Sequence, residues 1–334
     1  MIIDAHNHVI PQAIIDRLNE DRETFGVRVD HTVSGIKVSH KEGFAYPLFD
    51  EFLTPAQKLA AMDEWRIDTA VISPSPTLFF YRADSDANAR FVRALNISIA
   101  EFVDSCPSRL IGMGTLPMQS PEASVAELEF LVYTLGIRAV MIGTHIDGVQ
   151  LADPRFRPLL KRAAELEVFI LTHPYYFGSK QGLEPFYLTN LIGNPLDTTV
   201  MAAHLIFGGV MEEIPNLKIC LSHAGGFAPY QIGRLVHGNL VRPEAQTTRL
   251  PVKDLFKKFY FDTITHDPQA LRYLVSVVGA DHVLLGTDIP YDMADIDPMR
   301  TLKDSGLSEA DMSKISSLNA LSLIGTPRGV TADV

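Results

Sequence analysis

Short apolar runs rich in valine and isoleucine recur along the chain, and each is followed by a longer segment with helical periodicity. Eight such runs occur, at residues 2–5, 69–73, 110–114, 139–143, 168–172, 218–222, 258–262 and 283–287. Continuous apolar strands that alternate with helices indicate a parallel sheet with helices packed on its outside. Eight units of this kind predict an α/β fold, a (β/α)8 or TIM barrel.

The segment 158–167 illustrates the helical pattern. Its apolar residues Leu159, Leu160, Ala163 and Leu166 recur at the spacing of one buried helix face. The stretch 307–324 has a similar pattern and predicts an amphipathic helix that closes the barrel. A doubly wound open sheet is the alternative, but no Gly-x-Gly-x-x-Gly motif opens a helix after the first strand. The barrel is therefore favoured.

Residues 25–49 lie outside the repeating pattern. Val27, Val29, Ile36 and Val38 alternate with polar residues around Ser34-Gly35, which predicts a small β-hairpin. Because this insertion leaves the carboxyl end of the first strand, we expect it near the barrel mouth. No linker interrupts the sequence, so we expect one domain over residues 1–334.

Composition supports a globular protein with a large core. The chain has 334 residues, 46% of them apolar, and a mean hydropathy of +0.10. No run approaches eighteen apolar residues, and the N-terminus lacks a signal-peptide pattern. Cys106 and Cys220 give no disulfide framework. We expect a soluble, cytoplasmic protein.

The charge balance excludes two classes of partner. The net charge of −11 and the isoelectric point of about 5.4 are those of an acidic protein. Nucleic acids and anionic membrane surfaces are bound by basic faces. We therefore expect neither a nucleic-acid partner nor a membrane partner.

The first strand ends in His6-Asn7-His8. Residues i and i+2 of a strand point to the same side, so both imidazoles can converge on one metal ion. A His-x-His motif alone is a weak signal, because two histidines this close also occur by chance as ordinary polar residues.

Further polar side chains occur where other strands end. His173 follows the fifth strand, His223 the sixth and Asp288 the eighth. Each alone is more often a satisfied polar residue than a ligand, but the carboxyl ends of barrel strands meet at one rim. Imidazoles with a carboxylate suit zinc, manganese, iron or cobalt, and the lack of thiolates argues against a structural zinc site. The set predicts an ion with an open position for catalysis.

Longer motifs add a resemblance to a family. They are Gly-Thr-Leu-Pro-Met-Gln at 114–119, Ile-Gly-Thr-His at 142–145, Gly-Gly-Val at 208–210, His-Asp-Pro at 266–268 and Leu-Gly-Thr-Asp at 285–288. Together with the strand-end set, they resemble the decarboxylase branch of the amidohydrolase superfamily from residue 1 to about 325.

The resemblance implies a role for each candidate residue. The ligands of one divalent ion would be His6, His8, His173 and Asp288, with zinc expected first and manganese, iron or cobalt as alternatives. His223 would be the acid/base group beside the ion, and Asp288 would also accept a proton in a hydrolytic reaction. The protein would be a homodimer, in which Arg234 of one subunit reaches into the site of the other and binds a carboxylate of the substrate there.

Other features refine the expected site. Other members of the superfamily that the sequence resembles have a carboxylated lysine at the end of the fourth strand, where it bridges two metal ions. No lysine ends that strand here, so the resemblance implies a site for one ion. Asp262, which ends the seventh strand, is expected to orient either His223 or a loop as an outer carboxylate.

The sequence departs from the family pattern at two places. The stretch 42–49 contains no arginine where the family decarboxylase has one that binds a carboxylate, and Asn190 replaces an aromatic residue. Tyr46 and Phe49 cannot supply bidentate carboxylate recognition. These differences leave the charge and the ring type of the substrate open.

The sequence therefore predicts an enzyme that decarboxylates a small unsaturated or aromatic carboxylic acid with a metal ion and without oxidation. A hydrolase, lactonase or hydratase that uses the same site is the first alternative. A barrel without activity that keeps a structural metal is the second, because fold alone does not determine function.

Overall fold

Eight parallel strands form the centre of the protein, which is represented by a computed structural model that describes residues 1–32, 35–41, 43–175 and 181–330. In chain order they are Ile3–Val9, Thr69–Pro74, Leu110–Gly112, Ala139–Gly143, Phe169–His173, Lys218–Leu221, Tyr260–Asp262 and Val283–Leu284. They are called the first to the eighth strand below.

The strands close into a barrel in sequence order. The first three strands form one parallel sheet and the last five form another. Isolated parallel bridges join Gly114 to Val140 and Asn7 to Ile289, so the sheets meet at both edges. The predicted (β/α)8 barrel is confirmed, with strand ends that differ from the predicted ones by up to four residues.

Helices cover the outside of the barrel. The α-helices are Gln12–Glu20, Arg22–Phe25, Pro55–Glu64, Ser85–Asp104, Pro121–Phe130, Arg157–Glu165, Asn194–Phe207, Val210–Glu213, Ala228–Val241, Val252–Phe256, Pro268–Val278, Pro298–Asp304, Glu309–Ser313 and Asn319–Leu323. Helix Arg157–Glu165 buries Leu159, Leu160 and Ala163, the face that the sequence predicts. Proline at the first turn and a capping side chain start several helices, as at Thr54 before helix Pro55–Glu64.

Three described segments between residues 27 and 48 form an antiparallel sheet where the sequence predicts a two-stranded hairpin. Strands Val27–Thr32 and Gly35–His40 pair with each other, and Ala45–Leu48 adds a third strand beside Gly35–His40. The predicted turn residue Ser34 and residues 331–334 of the predicted domain lie outside the described residues.

The C-terminal segment packs against the eighth strand. Helix Glu309–Ser313 continues through the π-helical turn Lys314–Leu318 into helix Asn319–Leu323. The Asn319 side chain donates to the carbonyls of Ala280 and Val283 at 2.8 and 2.7 Å. Among the described residues, no helix is both long enough and apolar enough to cross a bilayer.

Candidate metal centre and active-site cavity

The first strand contributes two imidazoles to one point at the barrel rim. The Nε2 atoms of His6 and His8 lie 3.1 Å apart, and neither residue is more than 1% exposed. The sequence prediction that both rings face the same side is therefore correct.

His173 and Asp288 meet these rings from other strands. His173 is the last residue of the fifth strand, and Asp288 follows the eighth strand. Oδ1 of Asp288 lies 2.8 Å from Nε2 of His8, 3.4 Å from that of His6 and 3.6 Å from that of His173. One ligand atom from each of the four residues lies within 4.8 Å of the others.

The other ring nitrogen of each histidine has an acceptor. The acceptors are Asp262 Oδ2 at 2.8 Å from His6, Pro74 O at 3.2 Å from His8 and Pro174 O at 2.6 Å from His173. An acceptor at Nδ1 assigns the proton to that nitrogen and leaves a lone pair on Nε2. Three lone pairs thus point toward the Asp288 carboxylate, as in metal sites whose histidines are oriented by outer hydrogen bonds.

Burial sets the charge of these groups. Burial lowers the pKa of His8 to about 4 and that of His173 to about 3, so both rings are neutral at neutral pH. Burial alone would raise the pKa of Asp288, but its contacts with His173, His223 and His8 hold that pKa well below its usual range. Two neutral imidazoles and a carboxylate are the protonation states that bind a metal ion.

Asp262 connects the ligand His6 with the segment that carries His223. Its carboxylate accepts from Nδ1 of His6 and from the backbone N–H groups of His223 and Ala224 at 2.8, 2.8 and 2.7 Å. Burial alone would lower the pKa of His6, but the hydrogen bond to Asp262 and the charge of Asp288 outweigh it and raise the pKa. Asp262 therefore positions two functional side chains.

The donor set fits a divalent ion. Nε2 of His173 is buried and has no hydrogen-bond partner within the part of the chain that the structure describes. A buried polar atom without a partner is costly, and an ion held by three nitrogens and one oxygen would satisfy it. Nitrogen and carboxylate ligands with an open position are typical of catalytic zinc and related ions.

His223 lies next to the four proposed ligands but is not one of them. It follows the sixth strand, and its Nε2 lies 3.5 Å from Oδ2 of Asp288. Its side chain is 16% exposed and lines the cavity above the ligands. This position suits proton transfer to or from a bound molecule.

Gly286 allows the strands around the ligands to approach one another. A Cβ at this residue would lie 2.9 Å from Cβ of His6 and 3.0 Å from that of Asp262. A larger residue would push the eighth strand away from the first and the seventh strands.

A cavity of about 1070 Å³ opens above the four ligands. Its walls are mainly aromatic and apolar, with the rings of Phe44, Tyr46, Phe49, Tyr175, Tyr187, Phe227, Tyr230, Tyr273 and Tyr291. None of the described residues that line it is an arginine or a lysine. The cavity is therefore suited to a small, flat and largely apolar molecule.

The insertion forms one wall of this cavity. Tyr46 shares a hydrogen bond of 2.6 Å with Thr77, whose hydroxyl shares another of 2.6 Å with Ser75. Ser75 in turn shares a hydrogen bond with the hydroxyl of Tyr291, whose ring packs edge-on against His8. Neutral hydroxyl groups thus line the cavity beside the stretch 42–49, which contains no arginine.

Arg234 lies apart from the site in its own chain. It is exposed on helix Ala228–Val241 and does not line the cavity, whereas Tyr230 on the same helix does. Asn190, the other departure from the family pattern, does line the cavity.

Three polar residues that lie under the ligands were not among the predicted site residues. Asp4, Lys58 and Thr287 are fully buried there. The charged residue directly before Ala5-His6 was a usable signal for Asp4, but Lys58 sits in an amphipathic helix, where lysine is normally assigned to solvent.

Comparisons with known proteins agree with this geometry. A family model described as "Amidohydrolase" matches residues 3–326. The chain is 31% identical over 331 residues to the 2-amino-3-carboxymuconate-6-semialdehyde decarboxylase of Dictyostelium discoideum, an alignment that covers 97% of this chain and 91% of the relative. It is 29% identical to the gamma-resorcylate decarboxylase of Polaromonas sp., over 80% of this chain and 86% of that protein.

A solved structure matches the fold. It is a dihydroxybenzoic acid decarboxylase from Polaromonas sp. with bound manganese and the inhibitor 2-nitroresorcinol. The two structures superpose with a TM-score of 0.76 at 24% sequence identity, over 96% of each chain.

Proposed function

The chain belongs to the amidohydrolase family, and we propose that it is a metal-dependent decarboxylase of a small aromatic or unsaturated carboxylic acid. The observation that carries the proposal is the convergence of four buried ligands with His223, which lies 3.5 Å from Asp288 and outside the ligand set. The names of the relatives support the same reaction class.

The ligands would be His6, His8, His173 and Asp288, and they would hold one ion. We propose zinc, because three imidazole nitrogens and one carboxylate suit it. Manganese is the alternative, supported by the ion in the solved dihydroxybenzoic acid decarboxylase. When bound, the ion supplies positive charge that polarises substrate oxygen atoms.

His223 would act as the general acid. It would donate a proton to the substrate carbon that bears the carboxylate, which turns the ring or diene into an electron sink. The bond to the carboxylate would then break, carbon dioxide would leave, and the bonding pair would return to the substrate. Asp288 lies close enough to orient Nε2 of His223 for this transfer, and imidazole exchanges protons readily near neutral pH.

The cavity favours a substrate with one carboxylate. Its described walls carry the carboxylates Asp288 and Asp292 but no arginine or lysine. A second carboxylate would meet neutral hydroxyls such as Tyr46, which recognise phenolic or other uncharged groups better than anions. A hydroxylated aromatic monocarboxylic acid is therefore the proposed substrate class.

A second copy of the chain would complete the site with Arg234. Helix Ala228–Val241 carries exposed apolar side chains beside this arginine, with Tyr230 78% and Leu240 68% exposed. Exposed apolar groups of this size often mark a subunit interface. We propose a homodimer in which Arg234 enters the partner's cavity, and a cytoplasmic location in keeping with the unpaired Cys106 and Cys220.

One assay tests the proposed reaction. Metal-loaded protein is incubated with hydroxybenzoates, carboxylated dienes and lactones, and both released carbon dioxide and newly formed acid are measured. Metal-dependent release of carbon dioxide supports the decarboxylase. Acid formation without carbon dioxide would contradict it and favour the hydrolase alternative.

A further inference from the structure

The first strand is irregular where it carries the ligands. Its pairing with the second strand runs from Asp4 opposite Ala70 to Asn7 opposite Ile72, so three steps on one strand face two on the other. Such a bulge re-aims side chains and disrupts the ladder of backbone hydrogen bonds. The backbone near His6 and His8 therefore needs partners from side chains.

Two charged side chains supply these partners. The Asp4 carboxylate accepts from the backbone N–H of His6 at 3.1 Å. The Lys58 ammonium group, from helix Pro55–Glu64, donates to the carbonyl of His8 at 2.8 Å. Lys58 and Asp4 are both fully buried, and lysine is rarely buried without a specific partner.

Asn7 joins the two charges. Its amide oxygen accepts from Lys58 at 2.8 Å, and its amide nitrogen donates to Asp4 at 2.6 Å. Because an ammonium group only donates and a carboxylate only accepts, this arrangement fixes the orientation of the amide.

The same carboxylate reaches the eighth strand end. Asp4 accepts from the hydroxyl of Thr287 at 2.6 Å and from its backbone N–H at 3.1 Å. Thr287 precedes the ligand Asp288, whose backbone N–H donates to the carbonyl of His6 at 2.8 Å. The network of Lys58, Asn7, Asp4 and Thr287 thus links the backbones that carry three of the four ligands.

We propose that Lys58 is a positioning residue of the metal centre, which through Asn7 and Asp4 holds His6, His8 and Asp288 in the geometry that binds the ion. Lys58 touches neither the cavity nor the proposed ion, so it acts only through the ligand backbones. The inference rests on the metal site of the proposed function and is independent of the reaction.

The test measures metal affinity without substrate. Metal-free protein competes with a chromogenic chelator for Zn²⁺, and thermal unfolding of the metal-free form is recorded in parallel. We expect Lys58→Met to weaken Zn²⁺ binding about 10- to 100-fold, the effect of removing an outer partner of a metal site. Lys258→Met is the matched control, since Lys258 also donates to a backbone carbonyl, that of Met211 at 3.0 Å, but belongs neither to this network nor to the ligand segments. The control should bind Zn²⁺ normally.

A second variant separates positioning from stability. Lys58→Met leaves the Asp4 carboxylate buried without the opposite charge of the network, whereas Lys58→Met/Asp4→Asn removes both charges and should recover thermal stability. The proposal predicts that Zn²⁺ binding stays at least about 10-fold weaker in the double variant. Normal Zn²⁺ affinity in either variant, or affinity that recovers together with stability, would overturn it. A failure of the decarboxylase assay would leave this result unaffected.

Discussion

Two residues of the active site have an uncommon backbone conformation. His223 has φ of 52° and Asp288 has φ of 64°, the left-handed region that side chains other than glycine rarely adopt. Such a conformation persists only where surrounding contacts hold it, and it is concentrated at functional sites. Here the backbone N–H of His223 is held by Asp262 and that of Asp288 by the carbonyl of His6.

The position of His223 outside the ligand set leads to the first prediction. His223→Asn should retain the metal ion and reduce kcat by roughly 10²–10⁴-fold, because a positioned acid is lost while the ligands remain. Metal content by elemental analysis and steady-state kinetics check this. His6→Ala is the contrasting variant and should lose both metal and activity. Normal turnover of His223→Asn would exclude it as the acid.

The contacts of Asp262 lead to the second prediction. Asp262→Asn should weaken metal binding about 10- to 100-fold, because the acceptor that orients His6 becomes a poorer one. Chelator competition measures the affinity. Asp267→Asn is a suitable control, since the Asp267 side chain caps helix Pro268–Val278 by accepting from the N–H of Ala270 and is not hydrogen-bonded to any described ligand. If both variants bind the ion equally well, Asp262 does not support the site.

At the scale of elements, periodicity predicted the strands of the barrel better than those of the insertion. Ala139–Gly143 has its predicted bounds because an apolar run rich in β-branched residues distinguishes a buried strand. The strand Ala45–Leu48 was missed because it is short and contains Pro47, which normally argues against a strand. Pro47 is tolerated because this strand pairs on one side only, within the described residues.

Only part of the site could likewise be predicted from the sequence. The strand ends predicted His173 and His223, because the carboxyl ends of barrel strands converge. Lys58 could not be predicted, since its burial depends on the bulge in a strand more than fifty residues away in sequence.

The insertion sheet contains a histidine that should make stability depend on pH. His40 is 7% exposed and stacks on Phe44 with ring centroids 4.2 Å apart. Burial lowers the pKa of His40 to about 4 from 6.5. The folded state disfavours the charged ring, so protonation of His40 favours the unfolded protein. The free energy of unfolding is therefore unaffected by His40 above about pH 6.5 and falls by on the order of 3 kcal/mol as the pH is lowered toward 4.

The third prediction is therefore that His40→Phe becomes stabilising, relative to the native protein, as the pH is lowered from 7 to 4. Thermal unfolding of both proteins across this range measures the difference, in which the shared acid sensitivity of the metal site cancels. The exposed His31, on the neighbouring strand, gives the control His31→Phe. A difference between His40→Phe and the native protein that does not change with pH would contradict the assigned burial.

At the scale of the whole molecule, the barrel explains why the site was predictable and its substrate was not. Closure of the sheets between Asn7 and Ile289 brings the first and the eighth strands together and places His6 beside Asp288. This follows from the count of strand and helix units alone. The charge of the cavity depends on loops, on the insertion and, in the proposed dimer, on a second subunit. None of these follows from the periodicity of the core.

The proposed dimer gives the last prediction. Arg234→Ala should lower kcat/KM by roughly 10- to 100-fold, the effect of losing a charge-assisted hydrogen bond to substrate. His223→Asn should be impaired for a different reason, the loss of the proposed acid in its own chain. If Arg234 acts across the interface, mixing the two variants under conditions of subunit exchange creates heterodimers with one complete site, and random pairing should restore about a quarter of native activity.

If Arg234 acted within its own chain, each site of the heterodimer would still lack one group and no activity would return. Leu240→Asp, on the same helix, should prevent this rescue by disrupting association, and sedimentation analysis would show a species of one 36.9 kDa chain.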